Sequence, residues 1–270
     1  MQRSLVGSEM CIRDRYYPNI KVAGLCNVPV GMKKAVVEVL KAEEKDVEMI
    51  FGGLNHFVWG RKVLHKGEDK TREVLEKVLY DTENVPANLR HGKPWLEEQV
   101  LDLGMIPCPY HKYYYLTDEM LNDELIEYRS GKGTRGEQVK KVEDDLFELY
   151  KDPNLNVKPK QLEKRGGQYY SDAACELIHA IYNDKGTEMV ISTKNIGNVI
   201  DCLPEDSAVE VSAKIYRDRI ELIPQEPIPV EAKGLLQLMK NFEELTIEAA
   251  VKGDYRKALQ ALTANPLVVS

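Results

Sequence analysis

Several features that mark other classes of protein are missing from this sequence. No apolar run approaches the roughly 20 residues that a bilayer-spanning helix needs. The net charge of −7 leaves no basic excess of the kind that a nucleic-acid surface requires. Five cysteines, an odd number without a CxxC pair, do not form the framework of a disulfide-rich secreted domain. These absences favour a protein of the reducing cytoplasm, with neither nucleic acid nor membrane as a partner.

A nucleotide-binding fingerprint in its proper context is also missing. A GxGxxG motif is meaningful where it follows a strand and begins a helix, whereas residues 131–136, which read GKGTRG, follow a polar segment. We predict a surface loop there and no cofactor-binding residues in this chain. What is present, 43% hydrophobic and 30% charged residues in a length of 270, is typical of a globular protein with one good core or two small ones.

The first 15 residues differ in character from the rest. The segment MQRSLVGSEMCIRDR has neither the apolar core of a signal peptide nor a helical or strand period. It resembles translated sequencing-adapter sequence, and a disordered native N-terminus is the alternative. We therefore expect residues 1–15 to be a non-native or disordered segment and residues 16–270 to be the domain, and we leave Cys11 out of the chemistry.

Residues 21–56 bring a thiol and an imidazole to the ends of two short apolar runs. The first run predicts a strand over 21–25, with Cys26 just past its end, and the spacing of apolar residues from Gly31 onward predicts an amphipathic helix. A second run, 47–54, ends just before His56. If a right-handed parallel crossover joins the two strands, Cys26 and His56 lie at one carboxyl edge of the sheet, where ligands bind in open α/β folds.

A thiolate and a neutral imidazole are ligands for a divalent transition metal. No CxxC or HxxxH partner lies near them in sequence, so a metal held by Cys26 and His56 would keep open positions for water or substrate. The alternative is a buried cysteine that acts as a small apolar residue, together with a core histidine. The spacing by itself leaves both interpretations open.

Apolar periodicity outlines the rest of the domain. It predicts helices over residues 71–79, 95–103, 118–128, 137–150, 230–250 and 255–263, a strand over 188–193, and an antiparallel pair within 208–223. In the helix over 230–250 we expect five residues to face inward: Leu235, Leu238, Met239, Phe242 and Leu245. The aromatic segment 107–115, with His111 as a possible phosphate donor, could line a sugar site, and core packing of its tyrosines is the alternative.

Three ordered motifs carry a family resemblance. GLCNVPVG is followed about thirty residues later by GGLNHFVWG and much later by KRGGQYYSDAA, and together they resemble glycoside hydrolase family 4, on its branch that hydrolyses 6-phospho-β-glucosides. The resemblance implies an α+β fold, similar to the C-terminal domain of lactate and malate dehydrogenases, with a mixed sheet packed with long helices. It also implies that the Rossmann half is absent and that the chain is truncated at both ends, so that the fragment alone would be inactive.

The same resemblance implies roles for particular residues. Cys26 and His56 would hold a divalent metal, typically manganese, and Asn27 would orient sugar hydroxyls, its amide favouring the β branch. Tyr170 would be the base that removes the sugar C2 proton, with Tyr169 as the alternative. Lys194, which stands where the family more often has arginine, would bind the sugar phosphate without the bidentate fork.

The implied reaction differs from the two-carboxylate scheme of most glycosidases. NAD takes a hydride from C3, the metal stabilises the resulting ketone and its enolate, and loss of the C2 proton expels the C1 oxygen by elimination. The substrate would be a phosphorylated disaccharide and the enzyme a homo-oligomer. The alternatives are a 6-phospho-α-glucosidase or galacturonidase of the same family, and a non-catalytic oligomerisation fragment.

Overall fold

The structure is a computed structural model that describes residues 16, 22–78, 95–165 and 169–268. Residues 1–15, with their predicted non-native origin, lie outside the described residues, as do 166–168 of the KRGGQYYSDAA motif. The strands are β1 Val47–Leu54, β2 Phe57–His65, β3 Glu68–Asp69, β4 Ile106–Pro107, β5 Thr187–Lys194, β6 Ala208–Ile215 and β7 Ile220–Leu222. The α-helices are α1 Asn27–Leu40, α2 Thr71–Val78, α3 Glu97–Leu103, α4 Lys112–Tyr115, α5 Thr117–Glu127, α6 Arg135–Leu149, α7 Leu162–Arg165, α8 Tyr170–Asn183, α9 Val230–Lys252 and α10 Tyr255–Ala264.

All the described strand pairs of the single sheet are antiparallel. The order is β3-β2-β1-β6-β5, with β4 paired to β2 and β7 paired to β6. The predicted parallel crossover is therefore wrong, and among the described residues the sheet is antiparallel rather than mixed. The segment before Cys26 contributes one isolated antiparallel bridge, between Gly24 and Ser192 of β5, while β1 pairs with β2 and β6. Because two residues suffice to join antiparallel strands, β1 turns directly into β2.

Helix α1 begins four residues earlier than the sequence pattern predicts. It starts at Asn27, directly after Cys26, and contains Pro29 in its first turn. Proline is tolerated there because the first N–H groups of a helix have no intrahelical partner. Cys26, with φ −129° and ψ 142°, is the N-cap residue. The thiol thus stands at the start of a helix rather than at the end of a strand.

Three apolar clusters form the core of the described residues, and the two largest lie on opposite faces of the sheet. On one face, Met49 and Phe51 of β1 pack with Val28, Met32 and Val36 of α1. On the other face, Leu54 packs with Val209, Val211 and Leu236, the last from α9. None of the helices in the described part of the chain is both long and apolar enough to span a membrane.

The long helix α9 turns only part of the predicted set toward the core, since Leu235 and Met239 pack against the cluster that includes Leu236. Leu235, Leu238, Met239, Phe242 and Leu245 are only half-buried, whereas the fully buried positions are Ala232, Leu236, Lys240, Glu243 and Ile247. The buried stripe lies along i, i+4, i+8, i+11 and i+15 from Ala232, a spacing that matches the helical period. The prediction missed it because two of its members are charged.

Candidate active site

Cys26 is buried where α1 begins, on the face of the sheet that α1 covers. The backbone bridge before it, in which Gly24 and Ser192 exchange hydrogen bonds of 2.8 Å in both directions, fixes this segment against β5. A helix N-terminus favours a thiolate. Burial and the nearby charge of Glu210 act in the opposite direction and raise the pKa of the Cys26 thiol far above its ordinary value. A cation beside the sulfur would be needed to ionise it at neutral pH.

His56 lies in the two-residue turn between β1 and β2. Its backbone has a φ of 59°, in the left-handed region that histidine adopts more readily than bulky or β-branched residues do. Its ring centroid lies 4.7 Å from that of Tyr110, with the two ring planes tilted by 43°, and its carbonyl oxygen accepts a hydrogen bond from the Cys108 thiol at 3.4 Å. Burial lowers the pKa of His56 to about 4. The imidazole is therefore neutral at pH 7, the form that binds a metal ion.

Asn55, the residue before His56, connects the turn to the thiol. Its side chain interacts with the Cys26 sulfur, and its Nδ2 donates a hydrogen bond of 3.0 Å to Oε1 of Glu210 in β6. The Ser192 hydroxyl donates to the same oxygen at 3.3 Å. Although the predicted strand geometry is wrong, the structure brings Cys26 and the turn of His56 together through Asn55.

Glu210 is fully buried at this point of the sheet. Burial raises the pKa of its carboxyl group to about 7, and the hydrogen bonds from Asn55 and Ser192 oppose that rise. Both bonds end on Oε1, whereas Oε2 is buried with no hydrogen-bond partner among the described residues. A carboxyl group in such surroundings, next to a thiol, is a candidate for a functional rather than a structural role.

Tyr170 is the first residue of α8 and reaches the same cluster. Its side chain is 43% exposed, and it interacts with the Cys26 thiol and the backbone N–H of Asn27. Partial burial is the largest cause of the rise in its pKa, and Cys26 and Glu210 add to it. Tyr169 has a left-handed backbone, with φ 73°, and its ring lies 3.9 Å from Nζ of Lys34. The hydroxyl of Tyr170 is thus in contact with the predicted metal ligand.

Lys194 and Asn27 lie on the same side of the domain as this cluster. Lys194 ends β5, two residues after Ser192, so the alternation of a strand places its side chain on the Ser192 face. Both Lys194 and Asn27 are half-buried. Asn195, which is buried, accepts from the Ile200 N–H and donates Nδ2 to the carbonyl oxygens of Ile200, Leu203 and Pro204. These bonds fix the loop that follows Lys194.

His111 belongs to the core. It is fully buried, with its ring centroid 4.3 Å from that of Phe57 and 4.4 Å from that of Trp59. Its Nδ1 lies 3.2 Å from the Cys108 carbonyl oxygen, and burial lowers its pKa to about 3. A buried, neutral imidazole is not placed to donate to a sugar phosphate, so core packing describes this residue.

A cleft of about 480 Å³ lies away from this cluster, where β1 and β5 begin, and its lining includes Lys33, Val47 and Glu188. It contains none of Cys26, His56 and Tyr170. We take the chemistry of the side chains, rather than the size of the cleft, as the guide to the active site, because a cleft without convergent reactive groups carries no reaction.

Three members of the cluster, Asn55, Cys108 and Glu210, have no role of their own in the sequence predictions, where Cys108 enters only as part of the segment 107–115. Asn55 was adjacent to a predicted ligand but had no assigned role. Glu210 had a usable signal, since it is the one charged residue in the apolar stretch AVEVSA, and a buried charge in a strand needs an explanation. Cys108 had no such signal, because cysteine is commonly buried for packing.

Residues 51–268 match the model of the family 4 glycosyl hydrolase C-terminal domain. The chain therefore belongs to glycosyl hydrolase family 4. Within that family it is 48% identical over 255 residues to a probable 6-phospho-beta-glucosidase of Bacillus subtilis, a match that covers 94% of this chain and 57% of the relative. It is 41% identical to the 6-phospho-beta-glucosidase of Escherichia coli, with 92% and 55% covered.

A solved structure has the same fold. The 6-phospho-beta glucosidase of Thermotoga maritima, in a structure with manganese, NAD+ and glucose-6-phosphate, aligns with a TM-score of 0.83 at 30% identity, covering 98% of this chain and 60% of that one. The predicted α+β class is confirmed by this match and by the observed strands and helices. The chain spans somewhat more than half the length of the relatives it matches.

Proposed function

We propose that this chain is the substrate-facing part of an enzyme that hydrolyses 6-phospho-β-glucosides with NAD and a divalent metal ion, manganese being the candidate. The supporting observation is the contact of the Tyr170 side chain with the Cys26 thiol. Cys26 directly precedes Asn27, and its sulfur also interacts with the side chain of Asn55, the neighbour of His56. An acid–base group beside a pair of metal donors fits the family reaction. The β anomer is favoured because the relatives named for it are 48%, 41% and 33% identical, against 29% for the phospho-alpha-glucosidase of Clostridium acetobutylicum.

The donor set fits a transition metal. Cys26 and His56 would hold the ion, because His56 is neutral and the Cys26 proton can be displaced by a cation. No group of three or more His, Cys, Asp or Glu side chains among residues 22–78, 95–165 and 169–268 is arranged to hold a metal. A site with two protein donors leaves positions for the sugar oxygens. When bound, the ion would polarise a carbonyl at C3 of the sugar, and NAD would take up and return the C3 hydride.

The chain's own residues would then orient the sugar and move one proton. Tyr170 would accept the proton from C2, and the electron pair of that C–H bond would form the C1–C2 double bond while the C1–O bond breaks. The departing oxygen would take a proton from water to leave as the alcohol, and a water molecule would then add across the double bond, its oxygen to C1 and a proton to C2. Asn27 would position sugar hydroxyls at the start of α1, and Lys194 would attract the 6-phosphate. The charge of Lys194 serves a phosphate as a point charge.

The test supplies the part of the enzyme that this chain does not span. Joining residues 16–270 to the parts of the B. subtilis relative that lie outside the match gives a protein of that relative's length. It is assayed for release of nitrophenol from nitrophenyl 6-phospho-β-glucoside and from its α anomer. We expect preference for the β anomer, dependence on both NAD and Mn²⁺, and incorporation of deuterium at C2 in D₂O. Activity that survives Cys26→Ser, or preference for the α anomer, would contradict the proposal.

Two further parts of the proposal concern the cell and the assembly. A cytoplasmic location is supported by the four described cysteines, which are all free thiols. A homo-oligomer is supported by apolar side chains exposed on α5 and α6, namely Leu121, Leu125, Ile126 and Phe147. Light scattering on the eluting protein measures the oligomeric state directly, and a monomer at micromolar concentration would contradict that part.

A further inference from the structure

Glu210 lies where four separate parts of the chain meet. In β6 it pairs with Ser192 of β5 on one side and with Gly53 of β1 on the other. Ser192 in turn bridges to Gly24, two residues before Cys26. Asn55 extends from the end of β1 over the same carboxyl group. Glu210 is therefore bonded to the turn of His56 through Asn55, and to the segment that precedes Cys26 only indirectly, through Ser192.

The hydrogen bonds define what this carboxyl group does for its neighbours. Nδ2 of Asn55 and Oγ of Ser192 both donate to Oε1, at 3.0 and 3.3 Å. Glu210 fixes the Asn55 side chain through this hydrogen bond, and the same side chain contacts the Cys26 sulfur. Because the turn has only two residues, fixing Asn55 also fixes the backbone of His56, which has the unusual φ of 59°.

Glu243 offers a contrast within the same chain. It is buried as well, but its carboxylate accepts a hydrogen bond from Lys240, which also donates to the Ala208 carbonyl oxygen at 2.9 Å. A cation on the same helix therefore accounts for its burial. Glu210 has only neutral donors and sits beside the thiol, so no ion pair accounts for its burial.

We propose that Glu210 is a positioning residue, which acts through Asn55 to hold Cys26 and His56 in the arrangement that binds a metal ion. The inference rests on the proposed metal site. Groups that orient metal ligands without touching the ion commonly change metal affinity by about 10- to 100-fold when they are replaced. The expected effect is thus on metal affinity and on the metal–thiolate bond, and not on the fold alone.

The experiment uses Co²⁺ as the probe and the full 270-residue chain, reduced and kept free of oxygen. A thiolate bound to Co²⁺ gives a near-ultraviolet charge-transfer band, which reports both binding and the presence of sulfur in the coordination shell. Cys26→Ser tests the site itself. Glu210→Met removes the acceptor of the Asn55 bond, Glu210→Gln keeps an acceptor oxygen without the charge, and Glu243→Gln is the matched control at another buried carboxylate. Far-ultraviolet circular dichroism checks that each variant is folded.

The expected result is a band that Cys26→Ser abolishes and that Glu210→Met weakens, with a dissociation constant at least about tenfold higher. Glu210→Gln should fall between Glu210→Met and the unmodified chain, and Glu243→Gln should match the unmodified chain. If Glu210→Met does not fold, Asn55→Ala cuts the same link at a turn residue and should raise the dissociation constant by a similar factor.

The outcomes distinguish a failure of the proposed metal site from a failure of the proposed role of Glu210. Absence of a Cys26-dependent band in the unmodified chain would overturn the proposed metal site. A normal band whose affinity is unchanged in Glu210→Met, or in Asn55→Ala where the former is unfolded, would overturn the role of Glu210 alone. Equal weakening by Glu210→Gln and Glu210→Met would also overturn positioning, because it would show that the charge matters and the hydrogen bond does not.

Discussion

Two buried carboxyl groups in this molecule have opposite surroundings. Glu243 on α9 forms an ion pair with Lys240 of the same helix, and both side chains are buried. Glu210 on β6 has two neutral donors on one oxygen, no described partner on the other, and a thiol nearby. Burial raises the pKa of both groups, and Lys240 opposes the rise at Glu243. The difference assigns the α9 pair to the fold and supports the proposal that the Glu210 cluster serves chemistry.

The largest expected effect is on catalysis, at Tyr170 beside the Glu210 cluster, with little change in stability. In the fused enzyme, Tyr170→Phe should lower kcat by about 10²- to 10⁴-fold, the usual contribution of a general base. Since the side chain is 43% exposed, the free energy of unfolding should change by less than about 0.5 kcal/mol. Steady-state kinetics and urea unfolding measure the two quantities.

Tyr169→Phe is the matched control for that change. Its ring packs under Lys34 and its hydroxyl has no described contact with Cys26, so kcat should stay near that of the unmodified enzyme. A larger loss for Tyr169→Phe than for Tyr170→Phe would exchange the roles of the two tyrosines.

The next largest effect is on stability, at the buried Lys240–Glu243 pair of α9. Glu243→Gln leaves Lys240 buried without its anion, and breaking a buried pair in this way costs about 3–5 kcal/mol of unfolding free energy. Urea unfolding of the 270-residue chain measures the loss. If stability is unchanged, the α9 pair does not serve the fold, and the contrast between the two carboxyl groups fails.

The pH dependence of stability sharpens the comparison at Glu210. The pKa of this group rises from 4.5 in the unfolded chain to about 7 in the folded one. Between those values the unfolded state releases its proton first, so the contribution of Glu210 to the unfolding free energy is present below pH 4.5 and is lost as the pH rises to 7. The loss is on the order of 3 kcal/mol.

The variant Glu210→Gln isolates this slope. The lowered pKa values of His56 and His111, about 4 and 3, make stability fall as the pH drops below 6.5, which is the opposite sign. Both histidines are present in the two proteins, so the difference in unfolding free energy between wild type and Glu210→Gln reports Glu210. A difference that is constant from pH 4.5 to 7.5 would show that the carboxyl group has an ordinary pKa.

The smallest expected effect is on substrate binding and tests whether Lys194 belongs to the candidate active site. Lys194→Ala should raise KM for a 6-phosphorylated substrate by a factor that corresponds to about 1.5–3 kcal/mol, the range of a hydrogen bond to a charged group. Lys194→Arg should retain binding, because it keeps the charge and adds the bidentate fork. An equal loss in kcat with unchanged KM would place Lys194 in the chemical step rather than in phosphate binding.

Particular residues show how much of this could be predicted. The strands and helices follow the apolar period closely, as at β5, where 188–193 was predicted and Thr187–Lys194 is observed. The pairing did not follow, because period-2 alternation is the same in parallel and antiparallel strands. Helix α1 begins early since the first turn accepts proline. Lys240 and Glu243 escaped the prediction because each looks like a solvent-exposed residue until its partner is known.

The sequence by itself determined the family, the order and type of most of the long elements, and the candidate donors Cys26 and His56. Those properties depend on local periodicity and on motifs that are continuous in the chain. Tertiary structure alone decided that β1 turns back into β2, that Asn55 reaches the Cys26 thiol, and that Glu210 holds Asn55 from a strand 155 residues further along the chain. A hydrogen bond over that separation depends on the pairing of β1 with β6 in the sheet, and no local sequence pattern encodes that pairing.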